Sequence, residues 1–431
     1  MPKPLLLMIN RREFLHQTPS LLGLLMSLPA LAQTGRAAKK SIILRSSWQT
    51  VNIGDIGHTP GVITLLEKYL PEVEVRLWPS SVENGVAELL QRRFPNVPII
   101  QTPDEISREF SECSFLLHGS GPSLVARNDV KRWSQDTGKP YGIYGITFPG
   151  VYAPGAAASK INPLDIDLLN KAQFTFFRDS VSLGIAKEAG ISCPIMEFAP
   201  DGAFAVDFRN DQAATDFLGK NGLEEGKFMC VIPRSRFTPY WEIPSKKTPF
   251  DPERNARNEA MREHDHAPLR EAIIAVVRQT PMKILIVPED ETQVKLGKQI
   301  LLDKLPDDVK KKVVWRDRYW LTDEAVSTYI RSAGMFGLEM HSPIMCVGHG
   351  IPAIVCRFSE QTSKGFMWRD IGLDDWLFDV DKPDEVARIV PAVLAMAKDP
   401  KAARAKAAKG RAFVEKRQRE TMAVLAKTLM V

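Results

Sequence analysis

His341 stands in the segment Phe336-Gly337-Leu338-Glu339-Met340-His341-Ser342-Pro343, where an apolar run ends and Ser342-Pro343 opens a helix. An imidazole at a helix mouth is kept partly neutral by the positive end of the helix dipole, and can act as acid or base. Arg178 follows the apolar run Phe174–Phe177. Its planar guanidinium can hold a carboxylate or phosphate through two parallel bonds, or close a turn on the adjacent Asp179. Asn52-Ile53-Gly54-Asp55-Ile56-Gly57-His58-Thr59-Pro60 follows the first apolar run. Thr59 as N-cap and Pro60 at the first helical position predict a helix start that offers free N–H groups to an anion or a sugar hydroxyl. Gly54 and Gly57 permit close backbone approach, and Asp55 either binds sugar hydroxyls or holds the turn. His118-Gly119-Ser120-Gly121-Pro122 is a glycine-rich bend suited to a cleft floor, without the lysine spacing of a P-loop. Arg234 and Arg236 follow a further strand, and Glu289-Asp290-Glu291 the next, where three acids read as a capping cluster for the helix starting at Thr292.

These residues need a scaffold that gathers the ends of many strands, and the chain patterning predicts one. Ser41–Arg45, Val73–Trp78, Phe115–Leu117, Tyr141–Ile146 and Phe174–Phe177 read as strands, with helical spacing over Pro60–Leu70 and Val82–Phe94. Cys193–Asp207, broken by Pro194 and Pro200, reads as the crossing between lobes. The rhythm restarts with strands at Phe228–Ile232, Lys283–Val287, Val313–Trp315, Met335–Leu338 and Ala353–Cys356. Helices are expected between them at Ala267–Gln279, Thr292–Leu305, Asp323–Ser332 and Pro343–Gly348. Strand and helix in alternation predict an α/β fold of two Rossmann-like lobes facing across a cleft, residues 41–207 and 208–380, followed by C-terminal helices over 381–431. In such sheets ligands bind beyond the carboxyl ends of the strands. Phe237–His266 reads as a long functional loop rich in aromatic and charged residues. Pro400–Met430 reads as a long packing helix that crosses back over the first lobe.

Composition narrows the function classes. A net charge of +5 over 431 residues, partly in the leader and the C-terminal helix, gives no support to a nucleic-acid or membrane-surface partner. The five cysteines, Cys113, Cys193, Cys230, Cys346 and Cys356, sit mostly in apolar runs without CxxC or Cys/His spacing, so no metal and no cofactor are expected and buried free thiols are. Residues 1–32 read as a cleaved leader: Arg11-Arg12, then Phe14-Leu15, an apolar stretch from Leu21 to Leu31, and the small-residue site Ala30-Leu31-Ala32. The paired arginines favour the Tat route, which carries folded proteins to the periplasm or cell surface. The stretch is too short and too Gly/Pro-interrupted to remain as a membrane span.

Taken in order, Asn52-x-Gly54-Asp55, His118–Pro122, Arg178-Asp179-x-x-Ser182, Pro200-Asp201, the His341 segment, Gly350-x-Pro352 and Lys364 resemble the polysaccharide pyruvyl transferase family over roughly Ile42 to Val380. The resemblance implies a GT-B-like arrangement and transfer of the enolpyruvyl unit of phosphoenolpyruvate onto two hydroxyls of a glycan or polysaccharide as a ketal. It implies that Arg178 binds the donor anion, that His341 protonates the methylene carbon, and that Lys364 lies near the phosphate. Arg234, Arg236 and Glu339 then fall on the donor side, and Asn52, Gly54, Asp55, His118, Gly119, Ser120 and Asp201 on the substrate side. Where the family has Arg-Leu-His this chain has Glu339-Met340-His341, two charge units more negative. A glycan-binding protein with altered chemistry, or a GT-B glycosyltransferase, are the alternatives on the same scaffold.

Overall fold

Ile42, Ile43 and Leu44 are all fully buried, as a strand covered on both faces requires. They form the middle of β1 (Ser41–Arg45) in the computed structural model, which describes residues 40–46, 48–149 and 161–430. The leader read from residues 1–32 lies outside the described residues. The first sheet adds β2 (Glu74–Trp78), β3 (Phe115–His118), β4 (Tyr141–Ile146), β5 (Thr175–Phe177) and β6 (Met196–Phe198), in the order β2-β1-β3-β4-β5-β6. The second contains β7 (Phe228–Ile232), β8 (Lys283–Ile286), β9 (Val313–Trp315), β10 (Gly334–Gly337), β11 (Ala353–Arg357) and β12 (Leu377–Asp379), in the order β12-β11-β10-β7-β8-β9. Every pairing is parallel. In the second sheet the order reverses between β7 and β10, the switch point at which such folds open a crevice.

Two strands have no counterpart in the sequence reading. β6 lies inside the segment read as a crossing; it is a three-residue edge strand whose residues stay partly exposed, so no apolar run marks it. β12 is equally short and ends on Asp379.

Five helices concern the site and are labelled in chain order: α1 (Ile53–Tyr69), α2 (Pro252–Gln279), α3 (Thr322–Tyr329), α4 (His341–Gly348) and α5 (Pro400–Met430). α1 begins seven residues before the expected start. Asn52, not Thr59, is the N-cap: its side-chain oxygen accepts from the N–H groups of Gly54 and Asp55 at 2.8 and 3.0 Å. Pro60 is therefore inside the helix. The expected loop over Phe237–His266 is only half loop, because Asp251 caps Pro252 and starts α2. That Asp-Pro pair is a helix start signal that the aromatic and charged surroundings obscured. α5 does cross back. Arg417 donates to the Phe198 carbonyl at the end of β6 at 2.8 Å, and the Tyr144 hydroxyl of β4 meets Thr421 at 3.1 Å.

α1 ties the two sheets together at the crevice. The Ile53 N–H donates to the Glu289 carbonyl beyond β8 at 2.9 Å, and the Thr322 hydroxyl of α3 donates to the Ile53 carbonyl at 2.9 Å. Ile53 and Ile56 share one apolar core with Met340 and Ile344. Each such side chain contributes about 1.5–3 kcal/mol on burial. Further along α1, a Cβ on Gly61 would lie 1.8 Å from the Gly202 carbonyl oxygen, so helix and turn meet backbone to backbone. All five cysteines are buried and unpaired.

Candidate functional site

A pocket of about 220 Å³ opens where the strand ends converge. α1 brings Asn52, Asp55 and His58 to it; Arg178 comes from beyond β5, Arg234 from beyond β7 and Glu289 from beyond β8. Glu339 and His341 follow β10, Lys364 follows β11, and Gln49, Thr238 and Tyr240 complete the wall. The Gln49 side chain donates to the Tyr240 hydroxyl at 2.7 Å, which fixes that ring across the mouth.

The protonation pattern of His341 follows from its neighbours. Nδ1 lies 3.1 Å from Glu289 Oε1, and the other carboxylate oxygen of Glu289 accepts from both the N–H and the hydroxyl of Ser342 at 2.8 Å. A carboxylate can only accept, so Nδ1 carries the hydrogen and Nε2 presents a lone pair. Lys364 Nζ sits beside the ring, 3.1 Å from Nε2 and 3.5 Å from Nδ1. Burial, then the neighbouring Lys364 ammonium, holds His341 well below its ordinary pKa, so the ring is neutral. Burial, then Arg178, pushes Lys364 down to about 8.

His58 repeats the pattern: its Nδ1 lies 2.7 Å from Asp201, and its Nε2 has no partner. Asp201 also accepts from Arg178 Nη1 at 2.8 Å, while Arg178 Nε donates to Thr147. Burial opposes ionisation of Asp201, but His58 and Arg178 outweigh it and hold the carboxyl well below its usual range. Arg178 thus pairs with Asp201 rather than closing a turn on Asp179, which instead caps Ser182. The two imidazoles pack edge to face with centroids 4.6 Å apart. Asp55, His58 and His341 each bring a ligand atom within 4.8 Å of the other two, the geometry of a possible metal site.

Glu339 points into the pocket and is answered by Arg234, whose Nη1 meets it at 2.6 Å, while Gln293 donates to its other oxygen at 2.6 Å. Burial drives the Glu339 pKa upward against the pull of Arg234. Arg234 Nε has no partner.

The remaining sequence-derived residues support the pocket from behind. Gly54 is needed for His341: a Cβ there would lie 2.2 Å from the His341 Cβ. His118 is fully buried and accepts from the Ala126 N–H; Ser120 donates to the Gly145 carbonyl. Gly119 lies beside Ser46. Arg236 does not line the pocket: its buried guanidinium is held by Asp265, Glu360 and Asp381. Sequence reasoning missed His58 and the reach of Glu289, while Tyr240 belongs to the loop read as functional and does line the pocket. The Asp55-x-x-His58 spacing on one helical face was the available signal for the first. The expected capping role falls to Asp290, which accepts from the Thr292 N–H, whereas Glu289 turns to His341.

The family model for polysaccharide pyruvyl transferase matches residues 52–360. Among solved structures, HepE of Anabaena in complex with UDP and glucose shares 11% identity at a TM-score of 0.52, over 90% of this chain and 100% of that one. The UDP-GlcNAc 2-epimerase of Neisseria meningitidis bound to UDP-GlcNAc shares 10% identity at a TM-score of 0.54, over the same shares. These likenesses are of fold, and they are to the GT-B-like arrangement of two facing lobes. No curated protein matches the sequence.

Proposed function

Because the chain belongs to the polysaccharide pyruvyl transferase family, we propose that its pocket transfers the enolpyruvyl unit of phosphoenolpyruvate to two hydroxyls of a glycan. The observation that carries this reading is the convergence of Arg178, Arg234 and Lys364, from three different strand ends, beside a neutral imidazole. A donor with a carboxylate and a phosphate needs preorganised cations at both ends. The unpartnered Arg234 Nε supplies one N–H for it, and Arg178 a second cation at the other wall.

The geometry favours its own division of the proton work. Addition of a proton to the methylene carbon makes a methyl group and leaves the adjacent carbon electron-poor. One sugar hydroxyl attacks that carbon and loses its proton. The bond to the phosphate oxygen then breaks, phosphate leaves with the electron pair, and the second hydroxyl attacks the same carbon and gives up its proton to the departing phosphate, closing the ketal. His341 Nε2 carries no proton here, so Lys364, packed beside the ring, is the better proton donor to the methylene. Tyr240 and the Trp241–Phe250 pair beyond it, packed edge to face, give aromatic surface for a sugar ring.

Incubating the protein with phosphoenolpyruvate and a panel of glycans should release one phosphate per ketal formed. Lys364→Met should lower the rate by roughly 10²–10⁴-fold. Absence of phosphate release and ketal across the panel would defeat the proposal. The leader reading puts the reaction outside the cytoplasm, by the Tat route. A reporter fused after Gln33 should appear in the periplasm only while a Tat translocase is present, and a reporter that stays cytoplasmic removes that part.

A further inference from the structure

We propose that Asp55, His58 and His341 bind a divalent transition-metal ion of the zinc class at the floor of the pocket. Its use in the reaction rests on the pyruvyl-transfer reading; its binding does not.

Three observations on different elements meet here. The ligand atoms of the three residues lie within 4.8 Å of one another and all three side chains line the pocket. Both imidazoles commit Nδ1 to a fully buried carboxylate, His58 to Asp201 and His341 to Glu289, and so both present Nε2. This is the carboxylate–histidine pattern that fixes the tautomer of metal-binding histidines. Finally, His58 is 2% exposed, yet its Nε2 has no partner, a costly state for a buried polar atom unless something else occupies that lone pair. Two histidines and one carboxylate leave open positions for a substrate oxygen.

Charge gives the ion a purpose. Among the described residues, the lining carries three cations (Arg178, Arg234, Lys364) against four carboxylates (Asp55, Glu289, Glu339, Glu360), of which Glu360 is already paired with Arg236 and Arg257 outside the lining. Cations and remaining carboxylates thus only balance, and a divalent ion adds the positive charge a polyanionic donor needs. Lys364 Nζ lies 3.1 Å from His341 Nε2, close enough for the ion's charge to repel it. Metal uptake turns the ammonium away from His341 into the pocket, where its proton faces the donor. No local Cys/His spacing announces the site, because one ligand comes from the first residue of α4, nearly three hundred residues after the other two.

The full chain, stripped with chelator and titrated with Co²⁺, should bind one equivalent and develop the visible absorption bands of a histidine-ligated ion. His58→Ala and the milder Asp55→Asn should each weaken binding by about tenfold or more. Lys364→Met should tighten it, and His264→Ala, in the separate His264/Asp265/Asp381 cluster, should not change it. Substoichiometric Co²⁺ without bands, undiminished affinity in folded Asp55→Asn, or loss in His264→Ala instead would each overturn the assignment. Ketal formation at full rate in chelator, with no Co²⁺ bound, removes the ion and keeps the transferase. Stoichiometric Co²⁺ binding with no ketal on any acceptor keeps the ion and removes the transferase.

Discussion

Replacing Glu289 by Gln tests the hydrogen-bond logic of the pocket directly. The side chain is fully buried and accepts from three donors: His341 Nδ1, the Ser342 N–H and the Ser342 hydroxyl. A glutamine has one oxygen and one NH₂ in the same space. With the oxygen on the Ser342 N–H, the NH₂ faces His341 Nδ1 and forces the hydrogen to Nε2. There it lies beside the Lys364 ammonium, 3.1 Å from the nitrogen, a second donor in place of a lone pair. With the amide reversed, the imidazole is kept but the Ser342 N–H is left without an acceptor. Either arrangement forfeits one buried bond, a cost of about 1–3 kcal/mol. If the whole cost falls on the transition state, kcat/KM drops roughly 5- to 150-fold. Glu289 is a positioning residue, so the decisive readouts are the ¹⁵N shifts of the His341 ring, which report its tautomer, and a loss in kcat rather than in KM for phosphoenolpyruvate. A folded Glu289→Gln protein with unchanged ring shifts and unchanged kcat/KM would refute the reasoning.

Gly54→Ala should keep the helical circular-dichroism signal and lose activity, since its Cβ would drive the His341 ring from its place; a displacement near 1 Å costs on the order of 10²-fold. Arg236→Met should lower stability by about 3–5 kcal/mol, read as a fall in the urea midpoint, because Asp265, Glu360 and Asp381 lose their shared cation. His118 and His266 are each held at about 4 by burial, below the ordinary value near 6.5. The unfolded chain therefore binds more protons between those values, and stability should fall as the pH drops from about 6.5 towards 4. Urea midpoints at pH 7 and pH 4.5 check this, and a His118→Asn protein should show a shallower decline.

The scaffold was legible in the chain because parallel strands covered on both faces are continuous apolar runs: Tyr141–Ile146 and Phe228–Ile232 fall at the expected residues. β6 escaped because an edge strand needs no such run. The start of α1 was misplaced because Thr59-Pro60 imitates a cap, whereas the true cap is fixed by the side-chain bonds of Asn52. Within the site, Arg178, Arg234, Glu339, His341 and Lys364 were found by their place after strands or by motif order. What one segment cannot display is pairing over distance. That Glu289 serves His341 fifty-two residues away, and that Asp201 serves His58 across 143, depends on which strand ends the two sheets bring together.

The backbone bond from Ile53 to the Glu289 carbonyl has a kinetic consequence. Many two-lobed proteins assemble their chemistry only when the lobes close on a substrate. Here a hinge motion that parted the lobes would first break the bond beside the residue that orients His341, and so dismantle the proton path. On the pyruvyl-transfer proposal, Glu289 and His341 are then in register before any substrate arrives, and little reorganisation is left for the encounter. Entry and exit would on that proposal belong to the Tyr240 side of the mouth rather than to the swing of a whole lobe.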